Sequence, residues 1–489
     1  MAATKNYLAL DLGAESGRAI LGKCDGERIE IEELHRFVNP PVRVFDSLYW
    51  NVFHLFSEIK TGLRKAAPRQ PVSLGVDTWG VDFALLDRDG EIIGDPHHYR
   101  DPRSHGMMAK AFETVPRQEI FESTGVQFTE INSLYQLLGM KGSAALDAAR
   151  TLLMMPDLFH YWLSGEKLCE FSDATTTQFY DPRKQNWARE LLGRFGLPTD
   201  IYPRVVQPGT MIGEMLPDIR RECGLGAASV VAPACHDTGS AVAAVPAQAG
   251  NWAFLSSGTW SLLGREMPRP FINEKVLARN FTNEGGACGT TRLLKNICGM
   301  WLLEECRREW EKGGSETSYA GILAAAEAAD PFRSVIDVDD AAFVAPGGMP
   351  ERIAAACRRW KQPAPETQGQ FARCIFESLA LKYRLVLEDL QAITGEAVAV
   401  LHVVGGGSRN DLLCQYAADA SAIAVSAGPV EAAALGNILL QAMAAGQVGS
   451  PSEAREIVRR SAEVRRFEPR AGGGWEEAAG RLREMIQTP

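Results

Sequence analysis

No apolar run in this sequence is long enough to span a bilayer, and no basic segment leads into one. The opening "MAATKNYLALDLG" moves straight into strand chemistry, so a secretory leader is not expected and a cytoplasmic location is. Excess positive charge is also missing. Fifty-one Lys and Arg stand against 61 Asp and Glu, a net charge of −10, which argues against nucleic acid or an anionic membrane as partner. A nucleotide is still admissible, because a few backbone N–H groups can bind phosphate locally. The ten cysteines form no C-x-x-C pair and no Cys/His cluster at zinc spacing, so thiolate-bound metal is not expected and reduced thiols are. Cys357 and Cys374 could meet in the fold, but spacing does not decide it. Solenoid repeats, low-complexity tracts and the G-x-G-x-x-G dinucleotide fingerprint are absent. "GRAILGKC" (17–24) has Walker A glycine spacing, but Cys24 replaces the required Ser/Thr and the segment reads as a strand.

What is present fits an ordinary globular chain: 489 residues, 46% hydrophobic and 23% charged, too long for one core. "YLALDLG", "GRAILGKC" and "RIEIEELHRF" read as three strands, and "WNVFHLFSEIKTGLRKAA" as a helix. "VSLGVDTWGVDFALLD" is strand-rich again, with a turn at Asp89-Gly90, and residues 105–170 read as mainly helical. At Asn251 a second strand–polar turn–strand begins, "NWAFLSSGTWSLLGRE". Two halves with the same opening suggest a duplicated α/β architecture, divided near 245–250 into 1–245 and 246–489.

Four turns carry chemistry. "LDLGAESGR" (10–18) ends an apolar strand on Asp11 and continues into a turn that can aim N–H groups and Ser16 at an anion. A carboxylate beside phosphate calls for a divalent cation between them, so Asp11 suggests Mg²⁺; a plain hairpin with a surface Asp is the alternative. "LSSGTW" (255–260) occupies the matching place in the second half. "VVGGGSRN" (403–410) joins a strand to a helix through three glycines, which admits either a close ligand or merely a tight connection. "PACHDTGSAV" sets His236 and Asp237 between a strand and a small-residue helix. Asp237 there is either a helix N-cap or a functional carboxylate, and His236 either a structural hydrogen-bonding residue or a ligand contact.

Taken together with "GVDTWGVDFALLD", "YRDPR", "LLMMPDLFHYWLSGE", "DATTTQ", "TNEGG", "LKNICGMWLLEE", "ARCIFESLAL" and "GPVEAAALGN", these stretches resemble the FGGY family of carbohydrate kinases over nearly the whole chain. The resemblance implies two ribonuclease-H-like domains of the actin/hexokinase/Hsp70 superfamily. The first would be sugar-binding and the second nucleotide-binding, with an ATP/sugar cleft between them. It implies phosphorylation of L-rhamnulose at its 1-hydroxyl by ATP, giving L-rhamnulose 1-phosphate and ADP in L-rhamnose catabolism. By the same resemblance Asp237 is the general base, and Gly80, His236, Thr238 and Asn296 contact the sugar. Ala14, Glu15, Ser16, Gly17, Arg18, Thr259, Glu304 and Gly406 contact ATP, and Asp11 holds Mg²⁺ through water. Glu15 and Glu304 depart from the family pattern. Rivals are a kinase for another ketose or polyol (L-fuculose, xylulose), a nucleotide-switch ATPase of the same superfold, and a dinucleotide-dependent oxidoreductase. Ketose and ATP are the expected partners; monomer and homodimer both remain open.

Overall fold

In a computed structural model that describes residues 3–248, 250–315 and 318–487, the chain forms two compact α/β units. One unit runs from the amino terminus to Pro246 and takes in Glu266–Leu294 and Glu431–Ala462; the other comprises Ala247–Arg265, Lys295–Val430 and the chain from Glu463 onward.

The first unit is built on a six-stranded sheet in the order Thr210–Glu214, Ser229–Ala232, Ser73–Thr78, Lys5–Leu12, Ser16–Cys24, Ile29–Val38. Lys5–Leu12 pairs antiparallel with Ser16–Cys24 and parallel with Ser73–Thr78, which in turn lies parallel to Ser229–Ala232. The inner strand Ser73–Thr78 is buried throughout, as expected where a parallel strand is covered on both faces. The outer strand "IEIEELHRFV" is charged and mostly exposed, which suits a sheet edge. The helix Val52–Ala66 starts at Asn51, whose side chain accepts from the His54 amide, and buries Leu55, Ile59 and Leu63.

The anticipated turn at Asp89-Gly90 forms with Gly90 at φ 86°, and residues 105–170 hold five helices among the described residues. In the second unit Trp252–Ser257 pairs antiparallel with Trp260–Met267 and parallel with Val400–Val404. Val400–Val404 lies parallel to Ala424–Ala427. The strand–turn–strand opening with a parallel neighbour is therefore repeated, as the sequence suggests.

The compact units differ from a division into 1–245 and 246–489, although a boundary does fall at Pro246. The helix Ala432–Ala444 shows why. Asn437 Nδ2 donates to Gly75 O (3.1 Å) and to Asp77, and Gln441 Nε2 donates to Leu8 O (3.0 Å) while Gln441 Oε1 accepts from Ser73 Oγ (2.7 Å). A late helix thus satisfies buried polar groups of the first sheet and packs with it. Cys357 and Cys374, whose pairing the sequence leaves open, are both buried free thiols. No described helix is long and apolar enough to cross a membrane.

Candidate active site

The strand Ser229–Ala232 ends in Pro233–Cys235, and the helix Asp237–Ala243 follows. His236 takes the extended N-cap conformation, so Asp237 is the first helical residue and not the cap. Its Oδ1 accepts from the Thr238 amide and from Thr238 Oγ1 (3.1 Å). The Asp237 side chain keeps 32% of its surface accessible in a segment otherwise buried, so a hydroxyl group can reach it. Burial raises its pKa first and Asp11 adds to this; His236 and the Thr238 bonds oppose them. The small residues after it have a packing reason. The helix lies so close to Ala432–Ala444 that a Cβ on Gly436 would stand 1.7 Å from Ser240 O.

Asp11 sits at the buried end of Lys5–Leu12, directly opposite Arg18 on one side and Asp77 on the other. The Arg18 guanidinium binds both Asp11 and Glu431, so this residue of the expected phosphate turn is an internal counter-ion in the structure. The turn itself is fixed by Asn39, which donates from its amide to Glu15 O (2.9 Å) and from Nδ2 to Gly13 O (3.0 Å). Gly17 lies under the Phe37 ring, which would have to move for a Cβ there, since that atom would stand 2.2 Å from it. Ala14, Glu15 and Ser16 are half-buried along it.

Asp77 was not among the sequence candidates. It is fully buried, its Oδ2 accepts from Asn437, and its Oδ1 has no hydrogen-bond partner. Burial first, then Asp11, pushes it well above the usual carboxylate range. Its signal is a lone acid in the buried strand "SLGVDT", in register with Asp11.

Behind Asp237 lie further buried acids. Glu170 accepts from Ser172 N, Ser172 Oγ and the Cys235 amide (2.9 Å), and Ser172 Oγ accepts from the His236 amide (3.1 Å). Asp157 and Asp173 each have one buried oxygen without a partner, and burial drives both well above their usual range. Asp157, His160 and Cys235 are close enough to chelate a metal. However, His160 Nε2 accepts from the Val76 amide (3.0 Å), which leaves the ring proton on Nδ1 and no second lone pair for an ion.

Gly80 packs against Thr176, where a Cβ would come within 2.9 Å, and Thr176 Oγ1 accepts from the Val81 amide (3.0 Å). Beside it Asp82 accepts from Trp50 Nε1 (2.6 Å), Trp79 Nε1 (3.0 Å), Tyr99 N (3.1 Å) and Gln136 Nε2 (2.8 Å). His236 is buried against Arg292 and Glu284, two residues that sequence reasoning passed over. The first unit thus holds Asp11, Ala14–Arg18, Gly80, His236, Asp237 and Thr238.

Asn296, Thr259, Glu304 and Gly406 belong to the second unit. Asn296 is half-buried on the strand Thr291–Cys298. Thr259 lies in the polar turn, its carbonyl accepting from the Trp301 amide (3.2 Å) at the start of the helix Trp301–Lys312. Gly407 presses on Ser257, where a Cβ would meet Oγ at 2.0 Å, whereas a Cβ on exposed Gly406 would meet nothing within 4 Å. Glu304 is ion-paired with Arg307 (2.9 Å), a partner the sequence did not suggest.

Residues 6–244 and 253–445 match the models of the N-terminal and C-terminal domains of the FGGY family of carbohydrate kinases. A rhamnulokinase of Bacteroides thetaiotaomicron is 45% identical over 478 residues, 97% of this chain and 98% of that protein. A rhamnulokinase of Pectobacterium carotovorum is 41% identical over 96% of this chain and 94% of its own length. Among solved structures, a xylulose kinase from Rhodospirillum rubrum aligns with a TM-score of 0.79 at 16% identity over 99% of both chains. A gluconate kinase from Lactobacillus acidophilus aligns at 0.78 with 14% identity, over 99% of this chain and 96% of that one.

Proposed function

Because the chain belongs to the FGGY family of carbohydrate kinases, we propose that it is an ATP-dependent L-rhamnulose kinase with Asp237 as general base. The substrate reading rests on the rhamnulokinases, 45% and 41% identical over nearly full length. The mechanistic reading rests on Asp237, an accessible carboxylate at a helix start among otherwise buried residues. Its carboxylate takes the proton from the sugar's 1-hydroxyl as that oxygen bonds to the γ-phosphorus and the bridging bond to ADP breaks. The positive end of the helix Asp237–Ala243 faces the charge that gathers there. Gly80, His236 and Thr238 are the proposed sugar contacts of the first unit, and Asn296 is that of the second. The turn Ala14–Arg18 and, in the second unit, Thr259, Glu304 and Gly406 are proposed for the nucleotide.

Asp11 and Asp77 offer only hard oxygen donors, and one Asp77 oxygen lacks a partner, a set that fits Mg²⁺. Asp11 would hold the ion through water, and the ion would supply charge neutralisation on the phosphates. Arg18 keeps the Asp11 carboxylate paired meanwhile.

Asp237→Asn preserves the size of the side chain and removes the proton acceptor. Turnover should fall by roughly two to four powers of ten while sugar and ATP still bind. Near-wild-type turnover in that variant would remove Asp237 from the mechanism.

A further inference from the structure

We infer that Arg292 is a positioning residue that fixes the tautomer of His236 and so selects which oxygen of Asp237 receives the proton. The inference rests on Asp237 acting as the base. Arg292 stands on the strand Thr291–Cys298 directly opposite Glu284 on Thr282–Gly285, with its side chain fully buried. Its Nε donates to Gly285 O (2.8 Å), and one terminal amino group lies 3.2 Å from His236 Nδ1 and 3.4 Å from Glu284 Oε2. A guanidinium has five donors and no acceptor. A hydrogen on His236 Nδ1 would therefore point N–H at N–H. The lone pair sits on Nδ1 and the hydrogen on Nε2.

Glu284 approaches the same Nδ1 to 3.2 Å and by itself would draw a hydrogen there. The guanidinium opposes that pull by supplying the cation this carboxylate needs. The other terminal amino group of Arg292 is buried without a hydrogen-bond partner.

The consequence falls on Asp237. With its hydrogen on Nε2, His236 presents a donor 3.6 Å from Asp237 Oδ1, the oxygen that already accepts from the Thr238 amide and hydroxyl. Two donors from Thr238 bond Oδ1, the imidazole N–H turned towards the same oxygen adds its positive edge at longer range, and Oδ2 keeps its lone pairs. Oδ2 is the atom that takes the substrate proton, and Arg292 holds that choice through the imidazole.

The test is a two-bond ¹H–¹⁵N spectrum of the full chain labelled at its eight histidines, with the His236 ring identified by its loss in His236→Gln. The expected wild-type pattern is a bare Nδ1 and a protonated Nε2. Arg292→Met, which has no donor, should move the hydrogen to Nδ1 facing Glu284. It should also lower kcat roughly ten- to a hundredfold with KM for ATP unchanged. Arg292→Lys, which keeps a cationic donor, should recover part of the rate. A wild-type ring protonated on Nδ1, or on both nitrogens, overturns the inference without any variant having to fold; so does wild-type kcat in a folded Arg292→Met. Full turnover in Asp237→Asn would instead defeat the base reading and leave the tautomer standing.

Discussion

Asp237 and Asp157 are both buried-environment carboxylates, yet their surroundings give them different work. Asp237 is one-third accessible and carries two donors on a single oxygen. Asp157 is sealed in, accepting from the Glu170 amide (3.1 Å) through one oxygen while the other has no partner. Burial, then the nearby Glu170, raises its pKa well above the usual range, so the native state holds a proton that the unfolded chain releases above about pH 4. The native state then binds more protons, and stability falls as pH rises through that interval towards the folded pKa. Asp157→Asn removes this liability and retains the acceptor for Glu170. Thermal unfolding should show the variant gaining on wild type as pH rises above about 4; a gap independent of pH would mean that Asp157 is ionised in the fold. Of these residues, Asp237 stood out in the sequence between a strand and a small-residue helix, but that place left helix cap and functional carboxylate open, and only the family resemblance proposed a base. Asp77, Glu284 and Arg292 did not stand out, because their roles come from cross-strand registers and long-range burial that no local spacing records.

Two element contacts make the glycines informative. The helix Asp237–Ala243 meets Ala432–Ala444 backbone to backbone at Gly436 and Ser240. Gly436→Ala forces the two helices apart, with an expected loss of about 1–3 kcal/mol in denaturant unfolding and a lower kcat, since Asp237 rides on the displaced helix. Unchanged stability and kcat would show that the helices tolerate separation. In the second unit the glycine turn divides its labour. Gly407→Ala collides with Ser257 and should destabilise by about 1–3 kcal/mol. Gly406→Ala meets open space and should leave unfolding within about 0.5 kcal/mol of wild type while raising KM for ATP. A Gly406→Ala enzyme with wild-type KM would take that residue out of the nucleotide site. The sequence showed both polar turns and the glycine turn as strand-end connections. It did not show which glycine serves packing, since that depends on a strand some 150 positions away.

At the scale of the whole molecule, the two repeated openings were readable because strand periodicity and turn residues are local. The interleaving of Glu266–Leu294 and Glu431–Ala462 with the first unit was not, because it is fixed by buried bonds such as Asn437 to Gly75 and Gln441 to Leu8. Those segments also bring Glu284, Arg292 and Glu431 beside the residues of the first sheet and the Asp237 helix. The most direct measurement is sugar-dependent ADP release from ATP and Mg²⁺, with kcat/KM determined for L-rhamnulose, L-fuculose and xylulose on the wild-type chain. The highest kcat/KM for L-rhamnulose is the predicted result. Preference for another of these ketoses, or ADP release that does not depend on a sugar, would contradict it.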